Sequence, residues 1–152
     1  MSFSTTLAPN VAHTLDQIAD AYTPLLLLIA LLDLVLRWRN GDKLHGMKLM
    51  CAVVVVYGWM LADTRFQLWH RLGLYYSTHT AAALALVIVI ALGKRLTVKI
   101  PLAVSLVVYG CLMRTLGYHT WADMLATAAI IGLCILPVIF LRAKEPLINR
   151  SE

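Results

Sequence analysis

The chain has 152 residues, of which 61% are hydrophobic and only 14% charged, with 13 Lys and Arg against 8 Asp and Glu. That composition excludes a water-soluble domain, which would lack the polar surface to cover itself. The apolar runs are continuous rather than alternating, so a β-barrel is excluded too, and residues 1–152 are expected to form one all-α integral membrane domain, a bundle of about five transmembrane helices.

Between Met1 and Tyr22 there is no Lys or Arg, while Asp16 and Asp20 are present. The basic opening of a cleavable signal peptide is therefore missing, and the first span is expected to stay attached. Val11, Leu15, Ile18 and Tyr22 recur at helical spacing and predict a short interfacial helix. A first span follows over about Thr23 to Leu36, borrowing length from that helix because the hydrocarbon core is about 30 Å thick. Asp33 precedes Arg37 by four residues and reads as an i,i+4 pair at the membrane edge.

Beyond the turn-forming Asn40-Gly41-Asp42, a second span runs from about Met47 to Ala62 and a third from near His79 to near Leu92. A fourth occupies about Leu96 to Met113, with Pro101 in its first turns, and a fifth about Asp123 to Leu141, where Pro137 is the place for a kink. Cys51, Cys111 and Cys134 lie inside apolar runs with neither paired spacing nor His at ligand spacing, and read as packing residues. Trp69, Tyr75, Tyr76, Tyr118 and Trp121 fit an aromatic belt at the membrane surface.

Ten of the 13 basic residues fall at 37–48, at 94–99 or in the tail that carries Arg142, Lys144 and Arg150. An odd number of spans puts these three clusters on one side, which the retention of Lys and Arg assigns to the cytoplasm. The N-terminus then lies outside and the C-terminus inside. The net charge of +5 follows this topology, so the expected partners are membrane lipids and not nucleic acid.

Arg65, Arg71 and Arg114 break the rule by falling outside, in the two loops that also hold His70, His79, His119 and Asp123. Arginines converging at a membrane surface suit phosphate, because the guanidinium fork is planar, bidentate and permanently charged. Two histidines beside them can divide the cleavage of a phosphoester, one attacking phosphorus and the other protonating the leaving oxygen. His119 and Asp123 are four residues apart at a helix start, where the carboxylate can hold the imidazole tautomer. Ser77 opens the third helix, where it can add a hydroxyl beside backbone N–H groups that face an anion.

The segment from Arg65 to Arg71, Tyr76-Ser77-Thr78-His79, and the stretch from Met113-Arg114 through Gly117-Tyr118-His119 to Asp123 resemble, in that order, the three motifs of the type 2 phosphatidic acid phosphatases. The resemblance covers about residues 63 to 141. It implies that His119 is a nucleophile forming a phosphohistidine, Asp123 its orienting partner and His79 the general acid. Arg65, Arg71, Ser77 and Arg114 would bind the phosphate of a lipid substrate at the periplasmic face, with no metal or other cofactor. The sequence departs from the family pattern in several places. Arg65 stands where the family has Lys, no Pro follows Arg71, Thr78 replaces a glycine, Met113 replaces a serine, and four residues rather than five separate Arg114 from His119. A catalytically silent lipid-phosphate binder or carrier, and a phosphotransferase using the same intermediate, are the alternatives. A haem carrier ligated by His79 and His119 would leave the arginines and Asp123 without a role.

Overall fold

The computed structural model describes residues 9–140; Leu141, at the end of the expected fifth span, and the tail cations Arg142, Lys144 and Arg150 lie outside them. Among the described residues there are five helices, α1 (Pro9–Arg39), α2 (Lys43–Phe66), α3 (Thr78–Ala91), α4 (Leu96–Thr115) and α5 (Trp121–Ile139), with one 3-10 turn at His70–Leu72. No strand occurs among the described residues. Helices α1, α2, α4 and α5 are each long and apolar enough to cross a membrane, and the architecture is an all-α membrane bundle.

The expected interfacial helix and first span are one helix of 31 residues that runs through Pro24. Proline is tolerated there because neighbouring helices can satisfy the carbonyl it frees. The inward stripe of α1 is Ala19, Tyr22, Leu26, Ala30 and Asp33, whereas Val11 and Ile18 face outward. Leu25, Leu28, Leu32 and Leu36 are all more than half exposed. In lipid an outward leucine loses nothing, so small residues take the helix contacts and the soluble-protein pattern is inverted.

Helix α3 is the centre of the bundle and packs against α1, α2, α4 and α5. Ala81 and Ala83, fully buried, allow the close approach of its neighbours. It has only 14 residues, a length of about 21 Å at a rise of 1.5 Å per residue. Its start is recessed. The Ser77 N–H donates to Thr127 Oγ1 at 3.2 Å, and Thr127 stands six residues into α5, about 9 Å along that helix.

At the opposite end, three groups meet at a buried carboxylate. Arg37 Nε and Lys94 Nζ donate to the two oxygens of Asp33 at 2.9 and 2.6 Å, and His45 Nε2 lies 3.2 Å from Oδ2 without hydrogen-bond alignment. Arg37 also donates to the Leu92 carbonyl at the end of α3 and approaches Asp42. The Asp33–Arg37 pair is therefore one limb of a junction joining α1, α2 and the α3–α4 turn. Lys48 Nζ donates to the Ile139 carbonyl and adds α5 to it.

Trp69 is buried, not a belt residue. Its ring packs edge-on against Trp59 and Tyr76, and its backbone N–H donates to Asp63 Oδ1 at 2.8 Å, which folds the α2–α3 connection down onto the bundle. Tyr75, Tyr118 and Trp121 remain exposed, as a belt requires, while Tyr76 is half-buried with its hydroxyl on the Val56 carbonyl. Among the cysteines, Cys134 accepts from Trp59 Nε1, Cys51 is half-buried and Cys111 is exposed.

Candidate active site at the histidine end

The two connections that carry the histidines lie at the end of the bundle away from the Asp33 junction. The α2–α3 connection leaves α2 through Gln67, a left-handed cap whose N–H donates to the Asp63 carbonyl, and passes the 3-10 turn. Tyr75 to Ser77 then descends along the first turns of α5. Tyr75 N–H donates to Asp123 Oδ1 at 2.8 Å before Ser77 meets Thr127 deeper down. The α4–α5 connection turns at Gly117, whose φ of +79° favours a residue without Cβ. Two residues later it presents His119.

Thr120 and Asp123 form a reciprocal capping box at the start of α5. Asp123 Oδ2 accepts from the Thr120 N–H at 2.9 Å and from Thr120 Oγ1 at 2.7 Å, and Oδ1 accepts from Tyr75. Three donors are thus gathered on a buried carboxylate, which has roughly four acceptor sites. Asp123 makes no hydrogen bond to His119 here, although the two are within electrostatic reach. Its established contacts join the two loops of the site.

His119 is half-buried and lies in the field of both Asp123 and His79. Burial holds its imidazole below the ordinary histidine range; the Asp123 charge opposes this, and His79 adds to it. His79, in the first turn of α3, is exposed. Burial, followed by the charge of Asp63, pushes the Tyr76 phenol up to about 12.

Ser77 is fully buried. Its hydroxyl accepts from Thr80 N–H and donates to Thr80 Oγ1 at 2.8 Å, capping α3. The N–H groups of Thr78 and His79, ahead of the capped turn, have no intrahelical acceptor. Arg65 in the last turn of α2, Arg71 in the 3-10 turn and Arg114 in the last turn of α4 are all exposed, and none makes a side-chain hydrogen bond or ion pair among the described residues. Tyr118, next to His119, donates to Asp16 Oδ1 at 2.8 Å and ties the α4–α5 loop to α1. That contact, like the Tyr75–Asp123 bond, joins residues far apart in the chain and left no local signal in the sequence.

No group of three or more potential metal ligands occurs among the described residues. No family model, curated protein or solved structure matches the chain.

Proposed function

We propose that this protein is an integral membrane phosphatase that hydrolyses a phosphomonoester or pyrophosphate of a lipid, with His119 as nucleophile. The observation that carries the reading is the placement of His119 and His79 within electrostatic reach of each other at a recessed helix start, at the same end of the bundle as three exposed arginines that have no ion-pair partner among the described residues. In this mechanism neutral His119 attacks phosphorus, the P–O bond to the lipid breaks, and protonated His79 gives its proton to the departing oxygen. Water then attacks the phosphohistidine, with His79 taking a proton from it, and releases phosphate and the free imidazole. Arg65, Arg71 and Arg114 neutralise the phosphoryl oxygens, and Ser77 contributes as the cap that aims the α3 N–H groups. Asp123 retains an acceptor site with which to orient His119. The proposed location is a bacterial-type inner membrane, with the histidine end facing the periplasm.

The test is phosphate release by detergent-purified protein from undecaprenyl pyrophosphate, phosphatidylglycerol phosphate and phosphatidic acid, with His119→Ala alongside. Release from one of these lipids, lost in the variant, is the expected result. Equal release by the variant refutes His119 as nucleophile. A second reading, a lipid-phosphate binder without turnover, is favoured by one observation: Asp123 holds Tyr75 and Thr120 but not the imidazole. Saturable lipid binding with no phosphate release from any of the three lipids would select it. Release to an added alcohol in preference to water would instead select a phosphotransferase.

A further inference from the structure

A lateral cavity of about 290 Å³ opens between α1, α2 and α3. Its lining is ordered along the bundle axis. Leu27, Leu49 and Leu86 lie toward the Asp33 junction, while Thr23, Tyr57 and Ala82 lie toward the histidine end. Leucines line the deep end, and Thr23, Tyr57 and Ala82 line the upper part. From Leu49 to Tyr57 the groove follows eight residues of α2, about 12 Å, close to the thickness of one leaflet of a bilayer whose hydrocarbon core is about 30 Å.

The upper end lies toward the start of α3, which carries His79. Ala82 follows His79 by three residues on α3, so both lie on one face of that helix, one turn apart. A second transmembrane helix is a poor occupant, because it is about 10–12 Å wide and needs about 30 Å of length. An extended hydrocarbon chain fits both the length and the apolar lining. We infer that this groove receives one hydrocarbon chain of a phosphate-headed lipid whose head lies at His79. The inference rests on the lipid-phosphate reading of the site and adds to it where the substrate's chain runs.

The test uses the full chain in phosphatidylcholine nanodiscs containing a trace of photoactivatable lipid, a diazirine on one acyl chain, with cross-linked peptides mapped by mass spectrometry. One arm carries the probe as phosphatidic acid and the other as phosphatidylcholine with identical chains. Labelling of the α2 and α3 groove residues about ten-fold higher with the phosphate head is the expected result. Ala82→Phe, which fills the groove, should lower it to the choline level. Equal labelling by the two heads means that bulk lipid fills the groove and overturns the inference; labelling confined to other faces does the same. The comparison of heads is made on the parent protein and so does not depend on the variant folding. Head-selective labelling without phosphate release from any lipid would reject the phosphatase and keep the groove. Release without head-selective labelling would do the reverse.

Discussion

Replacing Asp33 by Asn removes one negative charge from the junction and keeps the side-chain shape. Asp33 is 8% exposed and bonds Lys94 at 2.6 Å and Arg37 at 2.9 Å. A unit pair at an effective dielectric of 20 is worth roughly 4 kcal/mol at 4 Å before desolvation is subtracted. Arg37 keeps the Leu92 carbonyl and Asp42, and the Lys94 side chain, 34% exposed, can recover water. The loss therefore falls near the low end for breaking a buried pair, about 3 kcal/mol. For a chain of this size that lowers Tm by roughly 6–12 °C, read from a circular-dichroism melt in detergent. Asp33→Asn combined with Lys94→Met should recover part of the loss, because the ammonium is no longer left facing an uncharged amide. A single variant melting within about 2 °C of the parent would refute the junction as a source of stability.

Burial lowers the pKa of His119, so between the ordinary value of 6.5 and the lower folded value the folded chain binds fewer protons than the unfolded one. Its contribution to stability is fully present above pH 6.5 and is lost as pH falls through the folded value. Imidazole NMR and the acid limb of kcat/KM should both report a midpoint below 6.5, and His79→Asn should raise it by removing a neighbouring positive charge; a His119 midpoint above 6.5 would contradict this account. Gly117→Ala places a Cβ at a φ of +79° where no atom lies within 4 Å. Its cost is therefore backbone conformation alone, about 1–2 kcal/mol in a thermal melt, accompanied by slower His119-dependent phosphate release. Thr127→Val leaves the buried Ser77 N–H without its acceptor. It should cost about 1–3 kcal/mol and speed hydrogen exchange at the Ser77 amide, and unchanged exchange would show that the recessed start of α3 is held by something else.

Helix positions were legible because polar islands punctuate the apolar runs, and the alternation of helices sends the two histidine loops to one end. Asp16 and Asp20, beside the helical spacing of Val11, Leu15, Ile18 and Tyr22, read as a separate interfacial helix ahead of the first span. In a bilayer bundle they sit on a continuous helix whose inward stripe is marked by alanines. Arg37 was visible as a partner of Asp33 since it is one helical turn away, but Lys94 is 61 residues distant and is brought there by the α3–α4 turn. Trp69 lies in a polar segment, where a buried ring and a belt ring have the same sequence signature; only the fold of the connection separates them. Ser77 is ambiguous for a similar reason. A serine at a helix start serves as ligand or as cap, and here its hydroxyl faces Thr80.

The shortness of α3 bears on how far a lipid must travel. At about 21 Å against a hydrocarbon core of about 30 Å, the central helix leaves roughly 9 Å in which headgroups and water can dip between the longer helices. A lipid phosphate could meet His79 at that depth without its tail being lifted toward the aqueous phase. Each methylene kept out of water avoids a cost of about 0.8 kcal/mol. A substrate with very long chains would then react with no extraction penalty, and turnover should respond to bilayer thickness, rising in thin membranes and falling in thick ones as the dip becomes harder to maintain.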